Sequence, residues 1–291
     1  MTVLDFSEIR NFDPCAVALG NFEALHIGHC RIIEETVSYA KILGIKSAVY
    51  MYKNNFKSEN SLFSLEDRLI FLEKMGVDFV ILDEFTAEYA KISCGDFAHF
   101  YIREKMNAEA VFVGFNYRFG AGASGDVALL KELCGDISVF SVDCVKIDDE
   151  CVSTTLIKSY LKNGEIRKAN QMLGRDYFVR GVVESGRNVG TKLGFPTANV
   201  ETDTIIGQGV YATTVVVGED VYRAITNVGG KPSFGIDALN IETHILDAEI
   251  DLYGKEILVL FHEKIRDIIK FDSADELINQ LEADKKRREI L

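Results

Sequence analysis

The spacing of apolar residues changes period once along this 291-residue chain, and that change constrains the fold more than any single motif. Up to about residue 150, short apolar runs alternate with segments whose apolar residues fall three and four apart. "PCAVALGNF", "IKSAVYMY", "VDFVILDE", "AEAVFVGF" and "ISVFSVDCV" read as strands. Between them "HCRIIEETVSYAKILG", "SLEDRLIFLEKMG", "CGDFAHFYIREKMN" and "DVALLKELCG" read as helices. Ser64 with Asp67 predicts a helix start, and Gly44 and Gly76 predict helix ends. This alternation predicts a parallel sheet covered by helices on both faces, with ligands beyond the carboxyl ends of its strands. From about residue 177 the period becomes two. "YFVRGVVESG", "GVYATTVVVG", "VYRAITNVG", "IETHILDAEI" and "KEILVLFHEKI" are strand-like and lack covering helices, which predicts a closed or nearly closed barrel. "SADELINQLEADKKRREI" then returns to helix. The expected division is an α/β domain over 1–152, a helical connector over 153–176 broken at Gly164, and a β domain with a C-terminal helix over 177–291.

The net charge of −13 argues against a nucleic-acid or membrane-surface binder, which needs basic surface to meet phosphates. The one basic run, "KKRR" at 285–288, reads as a solvated helix end. The sequence contains no run of 18 apolar residues and no basic-then-apolar start, so neither a spanning helix nor a secretory signal is expected. Six scattered cysteines without a C-x-x-C pair read as thiols in a reducing compartment, hence the cytoplasm. His26 and His29 alone are too few ligands for zinc.

Three stretches of the first half carry chemistry. His26, Gly28 and His29 lie where the first apolar strand feeds the first helix, a place that favours bound phosphate. Imidazoles three apart reach polyphosphate from one turn, and Gly28 lets backbone approach a nucleotide. "VGFNYRFGAGASGD" at 113–126 predicts a tight glycine loop carrying Asn116 and Arg118, suited to a ring carbonyl and a phosphate. Ser153, Thr154 and Thr155 precede a helix with Lys158 one turn in, which is either a phosphate grip or an ordinary helix cap with a surface lysine.

In the second half, "GVVESGRNVGTKLGFPTANV" at 181–200 spaces glycines along a loop ending in Thr197 and Asn199. Gly186, Gly190, Lys192 and Gly194 are the expected phosphate contacts, although no G-x-x-x-x-G-K-[ST] is present. Thr197 and Asn199 are neutral oxygen donors suited to a magnesium shell supplied mostly by phosphate and water. In "NIETHILDAEIDLYG" the alternation sets Glu242 and His244 on one face, expected to be the interior one. A carboxylate there can take a proton from an alcohol; the spacing does not separate Glu242 from Asp247, Glu249 or Asp251.

Along its whole length the chain resembles the prokaryotic bifunctional riboflavin kinase/FMN adenylyltransferase, or FAD synthetase, family. "GTKLGFPTANV", "GVYATTV", "YRAITNVGGKPSFG", "IETHILDAEIDLYGKEI" and "KIRDIIKFDSADELINQLEAD" carry the kinase resemblance in order. The resemblance implies a six-stranded antiparallel barrel that phosphorylates riboflavin with Mg-ATP. It places the metal-binding pair on Thr197 and Asn199, the catalytic base on Glu242, and flavin contacts on Arg266 and Phe271. An acid common two residues after that arginine is Ile268 here. The first half resembles the family's Rossmann-like domain, which moves AMP from ATP onto FMN to give FAD. His26, Gly28 and His29 match its H-x-G-H, and Gly114, Asn116, Tyr117, Arg118, Phe119 and Gly120 match its glycine-loop motif. The substrates and products so implied are ATP, riboflavin, FMN and FAD, with Mg2+, acted on by a monomer or weak homo-oligomer.

Three departures bear on the adenylyltransferase. "FEALH" puts Glu23 and Ala24 where the family has Asp and Gly; "YKNNF" puts Asn54, Asn55 and Phe56 where it has Pro, His and Pro; Lys158 replaces an arginine. A glycine needed at positive φ does not tolerate Ala, a longer acid shifts its charge, and Lys lacks the guanidinium fork. The readings left open are the bifunctional enzyme, a riboflavin kinase with a weak or lost second activity, and a non-catalytic flavin or nucleotide binder.

Overall fold

A computed structural model of the chain describes residues 1–53, 61–184, 197–201, 204–230, 239–246, 248 and 250–290. The chain divides into two compact units, Met1–Thr154 and Thr155–Leu291.

The first unit holds a six-stranded sheet of β1 (Thr2–Asp5), β2 (Cys15–Leu19), β3 (Lys46–Tyr52), β4 (Phe79–Asp83), β5 (Ala108–Gly114) and β6 (Ser138–Val142). Every pairing is parallel, in the order β1-β4-β3-β2-β5-β6. The five strands expected from apolar runs all form. The edge strand β1 does not announce itself, because four residues of mixed exposure carry no usable period. Period two divides β2 between two cores: Cys15, Val17 and Leu19 join Phe97, Ile102 and Leu130, while Ala16 and Ala18 join Ile33, Ala40 and Leu72. Both faces of the sheet are therefore covered, as continuous apolar strands require.

The helices end where local chemistry stops them. Helix α1 (Ile27–Leu43) starts at His26 and ends at Gly44, whose φ of 69° is left-handed. In α2 (Leu65–Lys74) Ser64 Oγ accepts from the Asp67 N–H at 3.0 Å and donates to Asp67 Oδ2 at 2.7 Å. Helix α3 (Cys94–Asp96) runs straight into a π-helical stretch, Phe97–Lys105. Helix α4 (Val127–Cys134) leads from β5 to β6, and a two-stranded hairpin of β7 (Lys146–Ile147) and β8 (Glu150–Cys151) follows.

The second unit takes in α5 (Thr154–Lys162) from Thr155 onward and all of α6 (Ile166–Leu173). These helices break at Gly164, with φ +76°. Strands β9 (Tyr177–Glu184), β10 (Ala198–Glu201), β11 (Gly209–Val217), β12 (Asp220–Gly230), β13 (Leu239–Ile245) and β14 (Glu256–Arg266) close an antiparallel barrel in the order β10-β13-β12-β11-β14-β9. Five of these strands correspond to period-two segments; the sixth, β10, is the short "ANVE" after the glycine loop. Closure removes both sheet edges. Inside, Thr213, Thr226 and Thr243 form a buried hydroxyl ladder at 2.8 and 2.9 Å, so each of these three hydroxyls has a partner among the apolar neighbours. Asn170 of α6 donates to the Phe261 carbonyl and accepts from the Tyr177 N–H, each at 2.8 Å, tying that helix to the barrel. Helix α7 (Ala274–Ile290) closes the chain. Among the described residues no helix is long and apolar enough to cross a membrane.

Candidate active sites

In the first unit, β2 passes through α1 to β3 on one side, and β5 passes through α4 to β6 on the other. The sheet therefore reverses its winding between the neighbours β2 and β5, and the crevice beyond their carboxyl ends is where such sheets bind ligands. His26 and His29 follow β2 into that region, and Asn116 follows β5.

His26 is buried, and its Nδ1 accepts the His29 N–H at 3.1 Å, capping α1 with an imidazole. A neutral ring accepting at Nδ1 carries its proton on Nε2, which makes Nε2 a donor. The two imidazoles stack at 3.7 Å between centroids, and Phe22 meets His29 edge-on at 5.3 Å. Gly28 leaves room for this pairing: a Cβ there would lie 3.2 Å from the His26 ring and press on it.

Ala24 is fully buried and is not in the left-handed region; Phe22 and Leu25 are, with φ of 47° and 42°. The expected backbone conflict at Ala24 therefore does not arise. Glu23 is buried, and Arg68 of α2, also buried, donates from Nη1 to the Asn21 carbonyl at 3.3 Å. Burial holds the Arg68 guanidinium below its ordinary range, and the charge of Glu23 opposes part of that shift. Asn54, Asn55 and Phe56 lie outside the described residues.

The glycine loop is braced by α3. Gly120 has φ +73°, and a Cβ on it would fall 2.4 Å from Cys94 Sγ. Phe119 and Gly125 exchange backbone hydrogen bonds at 3.2 and 2.9 Å and clasp the loop. Asn116 is exposed, with its Oδ1 close to Gly114, while the exposed Arg118 faces Asp126 at 3.8 Å. Ser153 precedes α5, Thr154 opens it, and Thr155 and Lys158 lie within its first turn and a half.

In the barrel, Asn199 on β10 stands directly opposite Glu242 on β13, and Asn227 on β12 flanks Glu242 from the other side. Asn240 Nδ2 donates to Glu242 Oε1 at 2.9 Å and lies 3.4 Å from Asn199 Oδ1. Glu242 and His244 do share a face, but it is the half-buried outer one: Ile241, Thr243 and Ile245 take the interior, because an apolar-lined barrel core excludes a carboxylate. Thr197 is exposed just ahead of β10, two residues before Asn199. Gly186, Gly190, Lys192 and Gly194, with Asp247 and Glu249, lie outside the described residues. Arg266 and Phe271 sit together, guanidinium to ring centroid 5.9 Å. The Arg266 fork is engaged by Asp284 of α7, with Nε 2.9 Å from Oδ1 and Nη2 2.7 Å from Oδ2. Arg288, within the basic run, is more than a solvated end: it donates to the Thr213 carbonyl at 3.1 Å.

Sequence reasoning missed Arg68, Asn240 and Asp284. Each is a polar residue in an otherwise ordinary element, and only its partner on another element distinguishes it.

Known proteins match both units. A family model described as FAD synthetase matches residues 8–156, and one described as riboflavin kinase matches 173–291. A bifunctional riboflavin kinase/FMN adenylyltransferase of Listeria monocytogenes is 32% identical over 92% of this chain and 90% of its own. Namesakes from Haemophilus influenzae and Bacillus subtilis are each 29% identical, over 94% and 92% of this chain and 93% and 90% of theirs. A crystal structure from Streptococcus pneumoniae, described as a macrolide-efflux protein, superposes with a TM-score of 0.91 at 27% identity and covers 98% of both chains. With a switch-point histidine pair in one unit, an Asn–Glu pair on neighbouring strands of a closed barrel in the other, and relatives matched through both, the chain belongs to the bifunctional riboflavin kinase/FMN adenylyltransferase family.

Proposed function

We propose that the chain phosphorylates riboflavin to FMN with ATP and then transfers AMP from a second ATP onto FMN, giving FAD and pyrophosphate. Membership of the family supports both steps. The observation that carries the residue assignment is the opposition of Asn199 and Glu242 on neighbouring strands.

In the kinase step Glu242 accepts the proton of the ribityl 5′-hydroxyl as that oxygen attacks the γ-phosphorus and ADP leaves. Asn240 fixes the carboxylate through Oε1, and among the described residues Oε2 remains to receive the proton. The Thr197 hydroxyl and the Asn199 amide oxygen are hard, neutral donors that fit Mg2+, and they would hold it beside the nucleotide phosphates. When bound, that ion neutralises charge on the phosphoryl oxygens. In the adenylyl step the FMN phosphate attacks the α-phosphorus of ATP. His26, donating from Nε2, and His29 stabilise the charge that develops there. Asn116 and Arg118 hold the flavin nucleotide at the neighbouring loop, while Arg266 and Phe271 contact riboflavin in the barrel. Ser153, Thr154, Thr155 and Lys158 grip phosphate. We place the enzyme in the cytoplasm as a monomer or weak homo-oligomer acting on small molecules.

The test is product analysis. Purified protein given riboflavin and Mg-ATP forms FMN, and given FMN and Mg-ATP forms FAD, both followed by chromatography. FMN without FAD would remove the second assignment, and neither product would remove both.

A further inference from the structure

We propose that Arg68 is a positioning residue for adenylyl transfer: from α2 it holds the β2–α1 loop, through the Asn21 carbonyl and beside Glu23, so that His26 and His29 are presented. The proposal rests on the adenylyltransferase reading of that loop.

Arg68 is 4% exposed and Glu23 6%. Burying a cation is costly, and an apolar side chain would fill the same space without that cost. Yet among the described residues Arg68 makes one hydrogen bond, Nη1 to Asn21 O at 3.3 Å, and its buried Nε has no partner. A buried donor left unsatisfied calls for a reason. The loop it reaches supplies one. Phe22 and Leu25 are both held at positive φ within four residues, a conformation that persists only when the surroundings over-determine it. The next residue after Leu25 is His26, whose ring caps α1 and stacks on His29. A guanidinium anchored on a capped helix therefore fixes the loop at Asn21, five residues ahead of the imidazole. Glu23, one methylene longer than aspartate, is buried inside this arrangement, and its charge offsets part of the cost of burying the Arg68 guanidinium.

The chain has five histidines, so their ring signals can be followed individually by NMR in the full-length protein with labelled histidine. Arg68→Met is expected to shift the His26 and His29 signals and to leave those of His244 and His262 in place. It is expected to lower FAD formation from FMN by about 100-fold, the cost of a small misplacement, with FMN formation unchanged. Arg68→Lys, which keeps the charge and loses the fork, is expected to fall between. If Arg68→Met does not fold, Glu23→Gln/Arg68→Met removes both charges and carries the same expectations. Unmoved His26 and His29 signals overturn the proposal, as does equal loss of both activities. Should the unaltered enzyme form no FAD, the adenylyltransferase reading fails, while the histidine signals still decide whether Arg68 positions the loop.

Discussion

Asn199 and Glu242 face each other across β10 and β13, joined through the Asn240 amide. A donor suited to metal and a carboxylate suited to proton transfer are thus fixed by strand register rather than by a loop. Glu242→Gln keeps the shape and the Asn240 contact but cannot take a proton. FMN formation is expected to fall by about 100- to 10,000-fold, the range for a positioned general base. FAD formation from supplied FMN is expected to persist. Normal kinase turnover in this variant would show that another group is the base.

The stacked histidines give the complementary experiment. His29→Ala removes one ring of the pair and leaves the Nδ1 cap of His26 with its backbone partner. Loss of one group that stabilises transition-state charge costs about 100- to 1,000-fold. The loss is expected in FAD formation alone, and a parallel drop in FMN formation would contradict separate sites.

Gly120 is a packing prediction. Ala at this position meets both a φ of +73° and Cys94 Sγ 2.4 Å from its new Cβ. A cost of about 1–3 kcal/mol is expected, from left-handed backbone and overpacking together. Urea denaturation measures it, and a KM for FMN that rises with it would show that the loop carrying Asn116 has moved.

The Arg266–Asp284 pair ties α7 to the end of β14, and the Asp284 side chain is 1% exposed. Asp284→Ala strands a guanidinium that is itself mostly buried, a change that typically costs about 3–5 kcal/mol. Hydrogen exchange in α7 is expected to accelerate. Unchanged exchange and melting would mean that the pair contributes nothing to holding the helix.

Alkaline pH acts on the first unit. Burial pushes the Cys15 thiol from 9.0 up to about 12, and chiefly burial pushes the Tyr52 hydroxyl from 10.0 up to about 12. Both raised values favour the neutral folded form. Their contribution is whole below pH 9 and is lost as pH rises toward 12, at about 1.4 kcal/mol per pH unit for each group that the unfolded chain has already ionised. Denaturation midpoints at pH 8, 10 and 11 check this; Cys15→Ala is expected to flatten the fall, and an identical slope would sink the assignment.

The sequence by itself determined the two periods, and with them a covered parallel sheet and a barrel, because binary pattern is local and repeats over many residues. It also placed His26, Gly28 and His29 after β2, and Ser64 and Gly44 at helix ends, since caps and strand ends are local chemistry. The edge strand β1 and the sixth barrel strand β10 escaped it, being four residues each and defined by their partners. Which face Glu242 takes was likewise undecided by alternation, which sorts residues into two sets without saying which set is inside. Only the closed barrel settled that, by filling its interior with Ile241, Thr243 and Ile245. The meaning of Glu23 and Ala24 was also tertiary. Whether an exchange damages a loop depends on where positive φ falls and on what is buried beside it, and here those are Phe22, Leu25 and an arginine more than 40 residues away in the chain.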